Sequence, residues 1–278
     1  MKNQLVTACA LMIAVSAASA QTRDYKENED ILKQIQEYNN TKKPSSPPSA
    51  EADEDKAKKK KTEVPANDSV LLKTGINMFN SGNYENAAKN FRQIIDDYPQ
   101  SPYADTARIW IGRIHIKKYE YAKAIEELAS VAETSGEYPA ARYDTGFCLN
   151  AQGDSAAAIS CYQTVAYSFP EHELADDALL QSGILFAKTG KGDEAIAAFL
   201  LLSSRYKDRE TVDDALFCMG KVFESDPELR DIERAREIYR LFLKKSEEGL
   251  PHFKDSPLKN KAARELKRIE ENHFRIKQ

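Results

Sequence analysis

Glycine recurs inside apolar, helix-forming stretches at Gly75, Gly112, Gly146, Gly183 and Gly220, separated by 37, 34, 37 and 37 residues. In a helix interior a glycine costs about 1 kcal/mol relative to alanine. A recurrence in phase therefore demands a compensating contact, and close approach of a second helix supplies one. Twelve residues after each of the first four glycines comes an alanine, Ala87, Ala124, Ala158 and Ala195. Four residues later stands a bulky apolar side chain, Phe91, Leu128, Tyr162 and Phe199. In the fifth unit a turn three residues longer brings Ala235 and Tyr239 to those places. The pattern predicts an all-α fold, an α-solenoid of about five stacked helix pairs. Such arrays bind partners rather than transform them.

Turn residues and prolines mark the expected helices. The first pair runs over 70–80 and 84–98, and Pro99 stops it because proline cannot continue a helix interior. The second spans 103–117 and 120–134, the third 139–151 and 155–168, closed by Pro170. The fourth spans 174–189 and 193–206, and the fifth 212–225 and 232–245, with Asp226-Pro227 in its longer turn. A last helix over 258–274 carries Leu258, Ala262, Leu266 and Ile269 on one face and Arg264, Lys267 and Arg268 on the other. That is the composition of a cap, since the final repeat has no neighbour to cover it.

The segment before the array has a different character. A short basic start is followed by an apolar run from Leu5 to Ala17 and by Ala18-Ser19-Ala20, the form of a secretory signal peptide cleaved after Ala20. The run is shorter than the roughly 20 apolar residues of a membrane span. Cys9 stands within the run rather than at its end, which argues against lipidation there. Residues 21–43 hold one stripe, Ile31, Leu32, Ile35 and Tyr38, enough for a short helix or coiled-coil stub. Residues 44–68 are a disordered linker by composition: Pro44, Pro47, Pro48 and Pro65, an acidic run from Glu51 to Asp55, then Lys58 to Lys61. The repeat domain with its cap is expected over 69–278. An exported, periplasmic protein follows from these features.

The sequence has 40 basic and 44 acidic residues and a net charge of −4, which gives no electrostatic reason for nucleic-acid binding. Past the signal peptide three cysteines remain, Cys148, Cys161 and Cys218, and an odd number argues against a disulfide framework. Cys148 and Cys161 fall on the two helices of one pair, so both a bond between them and burial as small apolar side chains stand open.

The unit resembles the tetratricopeptide repeat, a helix–turn–helix module of 34 residues. Its glycine, alanine, aromatic and proline stand in register, without a gap, on Gly75, Ala87, Phe91 and Pro99, and again on Gly146, Ala158, Tyr162 and Pro170. The second and fourth units carry Gly136 and Lys207 where the proline is expected. The resemblance covers about 69–246 and implies a right-handed superhelix in which the small residues let paired helices approach and the aromatic fills the seam between successive units. Two phrases are narrower. Tyr98-Pro99-Gln100-Ser101-Pro102-Tyr103-Ala104-Asp105-Thr106-Ala107 precedes Gly112, and Phe169-Pro170-Glu171-His172-Glu173-Leu174-Ala175-Asp176-Asp177-Ala178 precedes Gly183. These look like the bacterial envelope branch, which includes the YbgF/CpoB-type accessory of the Tol-Pal system and the BamD-type component of the outer-membrane β-barrel assembly machine. That likeness implies an envelope scaffold whose partners are proteins or peptides, or a fixed subunit peripheral to an outer-membrane complex.

Motifs for chemistry are missing. His115, His172, His252 and His273 are scattered without metal-ligand spacing, Gly153-Asp154-Ser155 is no nucleophile elbow, and Gly190-Lys191-Gly192 lacks the remainder of a phosphate loop. No enzyme activity and no cofactor are expected. Aspartate pairs such as Asp176-Asp177 and Asp213-Asp214 at helix starts are explained by capping and the helix dipole. In the resembled repeats the first helix of each pair lines a concave groove. Carried over, this nominates Ile109, Arg113, Ile116, Lys117, Tyr143, Phe147, Asn150, Lys188, Phe217 and Lys221, with Arg113, Lys117, Tyr143, Phe147, Asn150, Lys188 and Lys221 as partner-binding side chains. Aromatic surface flanked by cations suits an extended peptide bearing acidic groups.

Overall fold

In a computed structural model the chain divides into two units, Met1–Lys61 and Thr62–Gln278. The structure describes residues 66–274, all within the second unit. The expected signal peptide, the 21–43 stub and most of the linker lie outside the described residues.

Every regular element among the described residues is helical. In chain order they are α1 (Ala66–Asn80), α2 (Tyr84–Asp97), α3 (Ala104–Lys117), α4 (Tyr121–Leu128), α5 (Tyr138–Ala151) and α6 (Ser155–Ser168). There follow α7 (Ala175–Lys188), α8 (Gly192–Arg205), α9 (Thr211–Ser225), α10 (Ile232–Glu247), α11 (Pro251–Lys254) and α12 (Lys259–Ile269). A π-helical turn, Glu270–Phe274, follows α12. Successive helices pack on one another, giving five pairs, α1–α2 through α9–α10, with α12 against α10.

Side-chain size explains the pairing. A β-carbon added to Gly75 would stand 2.6 Å from Phe91 Cε1, and one on Gly183 2.6 Å from Phe199 Cε1. The same crowding occurs at Gly112 by Leu128, Gly146 by Tyr162 and Gly220 by Tyr239. Each bulky residue thus lies first over the glycine of its own pair, not chiefly in the seam between units. Its outer face still reaches the next unit in places, as where Phe91 stacks on Trp110 at 6.0 Å between ring centroids. Ala87, Ala124, Ala158, Ala195 and Ala235 are fully buried.

The turns within pairs share one hydrogen-bond scheme. Asn83 N–H donates to Met78 O and Gly82 N–H to Phe79 O, a Schellman closure repeated at Tyr119–Glu120, Gly153–Asp154 and Gly190–Lys191. Where the next residue is short and polar it caps the second helix at once: Asn83 Oδ1 accepts from Asn86 N–H and Asp154 Oδ1 from Ala157 N–H. Between pairs, carboxylates at helix starts are engaged by the following unit. Ser101 Oγ donates to Asp68 Oδ2 at 2.6 Å, and Thr211 Oγ1 to Asp176 Oδ2 at 2.9 Å. These aspartates therefore tie repeats together as well as favouring the helix dipole.

Several boundaries differ from expectation. The first helix begins at Ala66, so the buried Asp68 belongs to the array rather than to the linker. α4 stops at Leu128, six residues short of the expected end at Thr134. There the chain tightens into i→i+3 bonds, Ser130 N–H to Glu127 O and Val131 N–H to Leu128 O. Val131 is thereby turned into a cluster with Ile109, Leu128, Ala140 and Ala141. Beyond it, Ala132 to Gly136 offers no large apolar side chain to hold another turn. The short α11 was not expected; it buries Phe253 against Phe242, ring centroids 5.2 Å apart. The cap buries Ala262 and Ile269 and leaves Arg264, Lys267 and Arg268 exposed. Cys148 and Cys161 are free and buried, and Cys218 is free and half-buried.

Candidate partner-binding surface

The nominated residues lie on four of the first helices of pairs, α3, α5, α7 and α9, and fall into three groups. Lys188 ends α7 and Lys221 lies late in α9. Together they border a cavity of about 390 Å³ whose apolar lining includes Ile184, Phe199 and Val222. Lys188 is exposed, while Lys221 Nζ reaches Glu224 at 3.1 Å and Glu265 at 3.9 Å. Asp226, also at the rim, has Oδ1 occupied by the backbone N–H groups of Glu228 and Leu229. Its Oδ2 lies where a β-carbon on Gly192 would come within 2.5 Å. The Gly190-Lys191-Gly192 sequence is thus a turn glycine, at φ +73°, and a close-approach glycine. Cys218 opens onto the same cavity, and burial, reinforced by Asp214, pushes its thiol up to about 11, so it lines the wall as a protonated, weakly nucleophilic group.

The second group is structural. Arg113 Nε donates to Asp144 Oδ2 at 2.8 Å across the seam between α3 and α5, and its guanidinium lies 5.2 Å from the Trp110 ring centroid. Burial raises the Asp144 carboxyl, and Arg113 opposes that shift. Tyr143 packs edge-on against Tyr162 at 5.3 Å, and burial, then the aspartates at 177, 144 and 176, push its phenol up to about 12.

The third group gathers around the turn between α3 and α4. Lys117 is exposed at the end of α3, Phe147 is exposed on α5, and Asn150 is half-buried one helical turn further on. Phe147 touches the Tyr121 ring, 6.4 Å away, and Tyr121 touches Tyr119 at the same distance. The sequence analysis did not nominate these two tyrosines. A signal was present: seven residues past the repeat glycine stand Gly82, Tyr119, Gly153 and Gly190, one aromatic among three glycines.

Charge is divided along these helices. Carboxylates occupy the first turns of α7 and α9, at Asp176, Asp177, Asp213 and Asp214, and lysines the late turns, as the helix dipole favours. Asp214 is pushed up to about 6 by burial and then by Asp213 and Asp177. Among the described residues no group of three or more His, Cys, Asp or Glu side chains converges as metal ligands would, and no helix is long and apolar enough to cross a membrane.

Comparison with known proteins agrees with this architecture. A family model described as a tetratricopeptide repeat-like domain matches residues 2–184, well over half of the chain. Among solved structures, MamA protein is 19% identical, with a TM-score of 0.53, over 65% of this chain and 92% of its own. The TPR-like repeats of a Podosopora anserina putative kinesin light chain are 12% identical, with a TM-score of 0.51, over 64% of this chain and 94% of their own. Pseudomonas aeruginosa pilF is 16% identical, with a TM-score of 0.50, over 74% of this chain and 92% of its own. At these identities the likeness is one of fold. No curated protein matches the sequence.

Proposed function

The chain belongs to the tetratricopeptide repeat-like domain family, and from that premise we propose that it is an exported, periplasmic interaction scaffold of the cell envelope, binding proteins or peptides through the first helices of its pairs. Repeats of this family are typically non-catalytic scaffolds that mediate protein–protein interaction, and no enzymatic role is assigned to this chain. The signal-peptide pattern ending at Ala20 supports export. The envelope-branch phrases around Pro99 and Pro170 support a Tol-Pal-type or envelope-maintenance setting.

One observation carries the binding role: the cavity between α7 and α9, where Lys188 and Lys221 flank an apolar floor. Such a site takes an apolar side chain and orients a neighbouring carboxylate. The test is purification of the full chain from cross-linked cells, beside a Lys188→Glu, Lys221→Glu double variant. Periplasmic partners captured by the parent and lost from the double variant are expected. Recovery in one stoichiometric outer-membrane complex, indifferent to both lysines, would instead make the chain a fixed subunit. Cytoplasmic fractionation of the chain would overturn the export assignment.

A further inference from the structure

Four turns join the helices of a pair through the same Schellman hydrogen bonds, and in three the residue at left-handed φ is glycine: Gly82, Gly153 and Gly190. In the second pair it is Tyr119, at φ 61°. A β-carbon is disfavoured in that conformation, so the backbone asks for glycine here as elsewhere. Burial does not compensate, because Tyr119 is 79% exposed. An aromatic held against backbone preference and presented to solvent points to a use outside the fold.

Its neighbours supply the context. The Tyr119 ring stands edge-on to Tyr121 at 6.4 Å and 87°, and Tyr121 stands 6.4 Å from Phe147 at 66°. The three rings form a row of equal steps from the turn onto α5. Phe147 is itself 44% exposed. At the turn end, Lys117 and Lys118 are exposed and, among the described residues, form no ion pair. The one carboxylate in that turn, Glu120, is already engaged, paired with Lys123 Nζ at 2.9 Å and in hydrogen-bond contact with His115 Nδ1 at 2.7 Å. Lysine charge therefore dominates the end of the row.

We propose that the row Tyr119–Tyr121–Phe147, with Lys117 and Lys118 at its end, docks an extended protein segment that carries apolar side chains at alternate positions and a flanking acidic residue. The step between rings matches the separation of like-facing side chains in an extended strand, about 6.6–6.8 Å. Each apolar side chain then meets one ring, and the flanking carboxylate falls to Lys117 and Lys118. Because the strip crosses from a turn onto the helix of the next pair, it suits a strand better than a flat bilayer. This surface is separate from the α7–α9 cavity and does not rest on it.

The test uses the full chain and the fluorescein-labelled peptide Asp-Asp-Phe-Ser-Phe-Ser-Phe-Asp-Asp, followed by anisotropy, with a counterpart in which lysines replace the aspartates. The acidic peptide should bind, and the lysine counterpart at least about tenfold more weakly. Tyr119→Gly should raise the melting temperature, since glycine suits the turn, while weakening binding by about tenfold or more. Phe147→Ser should weaken binding similarly, and Arg264→Glu, on the exposed face of the cap, should leave it unchanged. The proposal fails if Tyr119→Gly binds as the parent does, if it is no more stable than the parent, or if both peptides bind alike. It fails equally if the parent does not bind at concentrations up to about 1 mM. Tyr119-dependent adsorption to phosphatidylglycerol vesicles without peptide binding would replace it with a membrane contact.

Discussion

At the scale of single residues two opposing terms decide what each repeat glycine contributes. Alanine in a helix interior is favoured over glycine by about 1 kcal/mol. Against that stands Phe199, with Cε1 only 2.6 Å from where the alanine methyl of Gly183→Ala would be. Overpacking of this kind costs about 1–3 kcal/mol, so Gly183→Ala should lower stability in urea unfolding despite its better propensity. Gly136→Ala meets nothing within 4 Å and should stay within about 0.5 kcal/mol of the parent. A gain of stability in Gly183→Ala would remove the packing role. Asp214 makes a pH prediction. Its folded value, pushed up to about 6, lies above the ordinary aspartate value of about 3.9. The folded chain therefore holds the proton more tightly than the unfolded one. That contribution is fully present below about pH 4 and lost as pH rises through about 6. Asp214→Asn should be more stable than the parent at pH 7 and should flatten the profile between those limits. Parallel urea midpoints for the two chains across that range would refute it.

At the scale of elements the array is not uniform. α1 to α3 share one buried cluster, centred on Phe91, Ile94, Ile111 and Ile114, and α6 to α12 share a much larger one. Between them lies a small cluster of Ile109, Leu128, Val131, Ala140 and Ala141, beside the eight-residue α4. Stability in stacked repeats is a sum of unit and interface terms, so the thin seam is where opening begins. Amide hydrogen exchange by mass spectrometry should be fastest, among helices inside the array, in α4. Arg113→Ala, which removes the bond to Asp144, should speed it further and leave α9 and α10 unchanged. Uniform protection from α2 to α10 would contradict a weak seam. The pairing of helices was visible in the sequence because glycine, alanine and aromatic recur at fixed separations. The early end of α4 was not, because it depends on Val131 finding a pocket made partly by Ala140 and Ala141 of the next pair.

At the scale of the whole molecule, a stack must end in something polar. α12 does this with Ala262 and Ile269 buried beneath an exposed face that includes Arg264, Lys267 and Arg268. Arg268 also joins Glu224, and Arg240 joins Glu270, fastening the cap to α9 and α10. Ile269→Asp would bury an unpaired charge and should detach the cap, uncovering the face of α10. Self-association in sedimentation, with α1 to α6 still helical, is the expected result; a monomer melting like the parent would show that the cap is dispensable.

Periodicity and side-chain volume are local properties of a chain, and they were enough to specify helical pairs and their order, while packing decided that each bulky side chain lies over the glycine of its own pair. Which charges are free and which are consumed depended on neighbours about 30 residues away. Arg113 and Lys117 differ little as sequence, yet one is tied to Asp144 and the other is exposed. The cavity beside Lys188 likewise exists only once separate repeats are brought together, because empty volume is set by packing in three dimensions, whereas the left-handed Tyr119 sits in a local turn whose register with Gly82, Gly153 and Gly190 the sequence already carried.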